Sequence, residues 1–231
     1  MKIYVPGFRT FILRRYGSLL LVLVGLLIIQ PFVETLVGKV LIEVLFIAAL
    51  IAGLRAVESS RHLFRFEVLL LVVSVICGTT GKVLDNESLF TIGLIGESLF
   101  LALVGIKILI DLFQTKKITE DSLAGAVCVY LLIGLVWTYL YLIIEVFIPG
   151  SFSFTQGDAR MQMWVSSEFY PFYYFSLVTM TTVGYGDLLP VSTAARSLAT
   201  MEGILGQIYL TILVARLVGM YLMHQQGTEE E

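Results

Sequence analysis

The segment Thr181-Thr182-Val183-Gly184-Tyr185-Gly186-Asp187 decides how the rest of the chain is interpreted. It contains two glycines one residue apart, threonines at its base and an aspartate directly after the second glycine. Gly184 and Gly186 tolerate backbone dihedrals that other residues avoid, so residues 182–185 can run extended with four consecutive carbonyls turned to one side. The Thr182 hydroxyl can add one more oxygen below them. A ring of such oxygens, one set from each of several chains, can replace the water shell of a dehydrated cation.

The composition indicates a polytopic membrane protein. The chain has 231 residues, of which 58% are hydrophobic and 14% are charged, and its mean hydropathy is +0.91. A soluble core of this size does not need so much apolar surface. The net charge of −3 becomes zero without the three glutamates at 229–231, and no basic arm typical of nucleic-acid binding is present. We find no nucleophile with a base, no phosphate-binding loop and no metal-ligand spacing, so we expect neither an enzyme nor a cofactor.

Six apolar runs predict an all-α membrane protein with six transmembrane helices, at about 19–29, 40–54, 68–83, 89–113, 123–148 and 194–223. A polar loop at 149–168 and an aromatic segment at 169–180 lie between the last two runs. The aromatic segment is predicted to be a short re-entrant pore helix that ends beneath the filter loop. Lys and Arg residues concentrate before the first run and in the links after the second and fourth. Because positive residues stay in the cytoplasm, both termini are predicted to be cytoplasmic.

Residues 182–186 spell TVGYG, and this motif resembles the selectivity filter of the potassium channel family. The resemblance implies passive potassium conduction through a homotetramer with fourfold symmetry in the cell membrane, because one chain supplies only one filter strand. It places the ion-binding oxygens on Thr182, Val183, Gly184, Tyr185 and Gly186. The alternative is a glycine-rich turn in an unrelated membrane protein.

The same resemblance suggests residues that support the filter. Position 174, where the family often has a tryptophan bonded to the filter aspartate, holds Tyr174, whose phenol can bond Asp187 instead. Glu145 matches a position where family members hold an acid that braces the top of the pore. Glu202 lies inside the last helix, and we favour a hydrogen bond behind the filter over exposure to ions. The aromatic residues 172–175 are expected to form a cuff around the filter, or simply to lie at a membrane interface.

Two glycines and three apolar residues of the last helix are candidate gating elements. Gly206 falls at the position of the family's hinge glycine and Gly203 lies one turn earlier, although small residues also allow close helix packing. Leu210, Val214 and Val218 lie four residues apart in sequence. They are expected to line the lower pore, or to pack between neighbouring helices.

The fourth apolar run argues against voltage sensing. Voltage sensors carry arginines at every third position, whereas residues 89–113 contain Glu97, Lys107 and Asp111 and no arginine. The chain therefore resembles six-helix prokaryotic channels with a degenerate, voltage-insensitive sensor-like domain. We expect a sensor-like domain at 1–118, a pore domain at 119–224 and a short acidic cytoplasmic tail at 225–231, with no separate regulatory domain.

Two other functions are compatible with the sequence. The first is a modulatory subunit that keeps the motif but conducts poorly without another channel protein. The second is a membrane sensor whose first four helices bind a lipid or a small ligand. Oligomeric mass and ion flux of the purified chain distinguish both from a potassium channel.

Overall fold

The computed structural model of the chain describes residues 15–28, 48, 52, 61–115, 119–155 and 169–229. These residues form helices joined by short links, together with one pair of three-residue strands. In chain order the elements are α1 Gly17–Ile28, α2 Arg61–Val83, α3 Glu87–Gln114, α4 Glu120–Phe147, β1 Phe152–Phe154, α5 Phe169–Met180, β2 Leu188–Pro190 and α6 Thr193–Glu229.

Among the described residues, four helices are long and apolar enough to cross a membrane, which supports a multi-pass membrane protein that is almost wholly helical. They are α2, α3, α4 and the first part of α6, up to Arg216. Helix α1 is apolar but has 12 residues. The predicted span at 40–54 lies outside the described residues except for positions 48 and 52, both of which are helical. The count of six spans therefore stays a prediction, and most of the predicted polar loop, from residue 156 to 168, also lies outside.

The turn between α2 and α3 is fixed by local hydrogen bonds. Asp85 has a φ of 52°, and the N–H of Asn86 donates to the Gly81 carbonyl at 2.8 Å. This is the arrangement in which a left-handed residue ends a helix and satisfies one of its last carbonyls. The Asn86 side chain then caps α3, because its Oδ1 accepts the Leu89 N–H at 3.0 Å. The sequence thus stops one helix and starts the next within three residues.

Helices α2 and α3 approach each other through small residues. A methyl group on Gly93 would lie 2.5 Å from Gly78 Cα, and one on Gly96 would lie 2.1 Å from Ser74 Oγ. Real side-chain carbons do not come so close to backbone atoms, so only glycine fits at position 93, whereas a methyl group on Gly96 would require the Ser74 side chain to shift. Such close approach gives extensive van der Waals contact, which is the main attraction between helices in a membrane.

The described residues form two compact units. One contains those within 1–64, 104–129 and 217–231, and the other those within 65–103 and 130–216. In the first unit, Tyr16 anchors the start of α1: its N–H donates to Asp121 Oδ1 at 3.0 Å and its phenol donates to Asp111 Oδ2 at 2.5 Å. The second unit contains the whole filter segment. The predicted domain boundaries, after 118 and 224, stay predictions.

An aromatic cluster in the second unit lies beside the filter segment. The ring of Phe152, on β1, packs edge-on against Tyr141 of α4 at 5.2 Å and against Phe172 and Phe175 of α5 at 5.0 and 5.5 Å. Edge-to-face contacts of this kind are favourable beyond the area that they bury. The expected cuff residues Phe172, Tyr173 and Phe175 are therefore buried within the chain's own core, whereas Tyr174 is half-buried and lies at the filter.

Candidate ion-conduction site

The backbone of the filter segment alternates between two conformations. Thr182, Gly184 and Gly186 have φ values of 60°, 54° and 74°, whereas Val183 and Tyr185 between them have negative φ. In an ordinary strand successive carbonyls point in opposite directions, so a row of carbonyls on one side requires an alternation of this kind. Glycine adopts positive φ without a steric penalty. A non-glycine residue such as Thr182 is held there at a cost of about 1–3 kcal/mol, and such strain is typical of functional sites.

The hydrogen bonds of the filter leave its carbonyls available. The N–H groups of residues 182–184 donate to the carbonyls of Thr179 and Val178 at 3.1–3.4 Å, which also satisfies the end of helix α5. Among the described residues, no hydrogen bond is donated to the carbonyls of residues 182–185. These four residues are exposed. The segment therefore presents oxygen acceptors that nothing in the described part of the chain occupies.

The last carbonyl of helix α5, that of Met180, accepts a hydrogen bond from helix α6. Gln207 Nε2 donates to the Met180 carbonyl at 3.3 Å. A methyl group on Gly206 would lie 3.2 Å from Met180 Cα, whereas one on Gly203 would come no closer than 4.0 Å to Thr179. Helix α6 is continuous through both glycines. Close packing therefore accounts for Gly206, and a hinge at Gly203 or Gly206 stays a prediction.

The outer end of the filter is held from two directions. The phenol of Tyr174 donates to Asp187 Oδ2 at 2.7 Å, and its ring stacks on Tyr185 with centroids 6.4 Å apart and planes 2° from parallel. The predicted bond between Tyr174 and Asp187 is thus present, while its effect on the filter stays a prediction. From the other direction, Thr155 donates its hydroxyl to the Gly186 carbonyl at 2.5 Å and its N–H to the Asp187 carbonyl at 2.9 Å.

Sequence reasoning missed Thr155 because it treated residues 149–168 as a polar loop. In the structure β1 pairs antiparallel with β2, with Phe152 opposite Pro190 and Phe154 opposite Leu188. The alternating residues Ser151-Phe152-Ser153-Phe154-Thr155 carry a period of two, which is the pattern of a half-buried strand. That alternation is the signal from which this strand was predictable.

Glu145 supports the connection that leads into β1. Its two carboxylate oxygens accept the N–H of Gly150 at 2.7 Å and the N–H of Phe152 at 3.2 Å. Gly150 has a φ of 80°, which glycine adopts readily. The acid therefore fixes the turn after α4, and through it the strand beside the filter. Its expected role as a brace of the pore top stays a prediction.

Glu202 is fully buried and joins three elements. Its Oε2 accepts the phenol proton of Tyr141 on α4, and its Oε1 lies 2.5 Å from Ser176 Oγ on α5. Ser176 Oγ also lies 2.9 Å from the Gly134 carbonyl of α4. A buried carboxyl group needs such partners, because burying it alone is costly. Within the chain this arrangement agrees with the hydrogen-bonded alternative for Glu202, and Tyr141 and Ser176 are partners that the sequence did not reveal.

The three residues proposed for the lower pore follow Glu202 along helix α6. Leu210 is half-buried and Val214 is 57% exposed, while the side chain of Val218 lies outside the described part. Their spacing of four places them on one face of the helix. Their role in lining or closing a pore stays a prediction.

The candidate cation ligands are backbone and hydroxyl oxygens. Within the described residues, no three His, Cys, Asp or Glu side chains lie together as a metal site would require. The Thr182 hydroxyl donates to the Thr181 carbonyl at 2.7 Å, which leaves its lone pairs free to accept or to coordinate. The described site is thus suited to binding and passing a cation.

Comparison with known proteins supports an ion channel as the class of protein. Residues 126–223 match the sequence model of a family described as "Ion channel". A 53-residue segment is 47% identical to "Two-pore potassium channel 1" of Arabidopsis thaliana, a match that covers 23% of this chain and 14% of that protein. No solved structure matches the chain.

Proposed function

We propose that this chain is the subunit of a homotetrameric, potassium-selective channel that conducts passively across the cell membrane. The observation that carries the proposal is the filter segment, where the carbonyls of residues 182–185 accept no hydrogen bond from the described residues and the backbone alternates in φ. The ions bind between the carbonyls of Thr182 to Tyr185 and the Thr182 hydroxyl, with Gly186 completing the loop. The name of the plant relative and the TVGYG motif both favour potassium as the ion.

An oligomer follows from the geometry of a filter, and the number four is what the resemblance to the potassium channel family implies. One chain contributes one row of carbonyls, and an ion needs oxygens around it, so several chains must share an axis. Helix α6 supports this arrangement, because large apolar side chains such as Ile204, Ile208 and Ile212 are about half exposed on the single chain. In a tetramer these side chains face neighbouring subunits, the lipid bilayer or the pore. As the distribution of Lys and Arg predicts, both chain ends lie in the cytoplasm in this proposal.

We further propose that the channel opens with little dependence on voltage. Helix α3, in the place of the voltage-sensing helix, contains no arginine. Moving one elementary charge through 100 mV is worth only about 2.3 kcal/mol, so steep gating needs several charges on a mobile helix. The chain does not act as an enzyme and needs no cofactor in this proposal.

A planar bilayer recording of the purified tetramer tests these statements. With potassium on one side and sodium on the other, the current is expected to reverse near the potassium equilibrium potential, with an open probability nearly flat in voltage. Gly184→Ala is expected to abolish the current, because alanine does not readily adopt the φ of 54° found there. Gly219→Ala is the matched control, since a methyl group there meets no atom of the described residues within 4 Å.

Each of the other outcomes has a distinct meaning. Equal passage of sodium would refute potassium selectivity. A verified tetramer that carries no current, alone and at any voltage, would favour a modulatory subunit or a membrane sensor. A steep rise of open probability with voltage would refute the proposed voltage independence.

A further inference from the structure

Thr155 contacts the outer end of the filter with both its backbone and its side chain. The residue directly follows β1, whose antiparallel pairing with β2 brings it beside Gly186 and Asp187. Its hydroxyl and its N–H donate to the carbonyls of these two successive residues, at 2.5 and 2.9 Å. Two donors from one residue therefore fix two consecutive peptide groups.

These contacts separate Gly186 from the residues before it. The carbonyls of residues 182–185 accept no hydrogen bond from the described residues, whereas the Gly186 carbonyl is occupied by the Thr155 hydroxyl. Gly186 also has a φ of 74°, in a region where its peptide groups have considerable freedom to rotate. A donor at this carbonyl restricts that rotation at the place where the chain leaves the filter.

Strand β1, which directly precedes Thr155, is itself well anchored. Glu145 accepts two N–H groups of the turn before it, Phe152 is buried against the aromatic cluster, and the Ser151 carbonyl accepts the Val191 N–H at 2.7 Å. Thr155 therefore projects from a fixed element. A residue on a mobile loop would restrain the filter much less.

We propose that Thr155 is a positioning residue that holds the outer end of the filter in its conducting shape, and that β1 acts as a clamp on the extracellular side. This inference rests on the proposed function. In a conducting filter the bound ions attract the carbonyls and help to keep them in line. When external potassium is low and the outer sites empty, the Thr155 hydroxyl becomes the main restraint on the Gly186 peptide group.

The test uses the full-length tetramer in bilayers at low and at high external potassium. Thr155→Val removes the hydroxyl but keeps the side-chain shape and the backbone N–H. We expect current through this variant to inactivate about threefold to tenfold faster than wild type at low potassium, as the loss of one neutral hydrogen bond implies. High external potassium is expected to restore the wild-type rate. Thr155→Ser keeps the hydroxyl and is expected to behave like wild type.

The control is Ser153→Ala on β1, because among the described residues the Ser153 hydroxyl donates only to the neighbouring Phe154 carbonyl, at 3.4 Å. If Thr155→Val inactivates like this control at both potassium concentrations, the proposal is wrong. It is also wrong if Thr155→Val is faster by the same factor at both, because a merely structural loss would not respond to potassium. Should Thr155→Val not assemble, Thr155→Ala makes the same deletion and the same comparison. A wild-type channel without potassium selectivity would instead refute the proposed function.

Discussion

Tyr141→Phe is the substitution that tests the buried network most directly. The phenol of Tyr141 donates to Glu202, which is fully buried between α4, α5 and α6. Phenylalanine keeps the ring contacts with Phe152 and Phe175, both at 5.2 Å. The substitution therefore removes one hydrogen bond and leaves the Glu202 oxygen without that donor, while the packing of the aromatic cluster is retained.

The expected loss follows from the kind of bond. A net hydrogen bond contributes about 0.5–1.5 kcal/mol between neutral groups and about 1.5–3 kcal/mol when one group is charged. We therefore expect Tyr141→Phe to lower the free energy of unfolding by about 1–3 kcal/mol per subunit. For a chain of this size that corresponds to a fall in Tm of about 2–12 °C. Thermal unfolding of the purified protein in detergent measures it.

Tyr130→Phe is a matched control on the same helix. The Tyr130 hydroxyl is buried and has no hydrogen-bond partner among the described residues. Removing it relieves an unsatisfied group, so the Tm is expected to stay the same or to rise slightly. If Tyr141→Phe lowers the Tm no more than Tyr130→Phe does, the Glu202 network does not stabilise the fold and the reasoning is refuted.

Two further substitutions test the packing around the pore helix and between α2 and α3. Gln207→Leu is expected to lower the free energy of unfolding by about 1–3 kcal/mol, because the buried Met180 carbonyl loses its donor; a variant as stable as wild type in the same thermal assay would contradict this. Gly93→Ala is expected to cost about 1–3 kcal/mol or more, because its methyl group would lie 2.5 Å from Gly78 Cα. Gly219→Ala, whose methyl group would meet no described residue within 4 Å, should instead gain up to about 1 kcal/mol from helix propensity. Equal effects of the two glycine substitutions would show that α2 and α3 are not in such close contact.

Local patterns were sufficient to predict most of the helices. Helix α5 has the bounds predicted for the pore helix, Phe169–Met180, and the last helix begins at Thr193, one residue before the predicted start. Such helices are recognised from apolar runs bounded by polar turns, and the residues of each run are close together in sequence. The TVGYG motif likewise located the segment whose backbone alternates in φ, because its residues are consecutive in the chain, while the role of this segment as a selectivity filter stays a prediction.

Contacts between distant residues could not be predicted in the same way. Glu202 bonds partners 61 and 26 residues away, and Thr155 bonds the Gly186 carbonyl 31 residues further along the chain. Nothing in the neighbouring sequence of these residues specifies a partner. The positive φ of Thr182 was also unexpected, because local propensity disfavours it and only the surrounding hydrogen bonds hold it.

The packing of α3 gives a second physical argument for the proposed voltage independence, besides the lack of arginines. A sensing helix must move past its neighbours when the field changes, and a shift by one turn is about 5.4 Å. Gly93 of α3 lies directly against Gly78 of α2, and Glu97 of α3 is hydrogen-bonded to Tyr139 of α4. A shift by one turn in one direction would bring the larger side chain of Phe90 against Gly78, and a shift in either direction would break the hydrogen bond of the half-buried Glu97. Both costs oppose motion of α3, so the same small residues that let α2 and α3 pack closely also favour a helix that stays in place when the membrane potential changes.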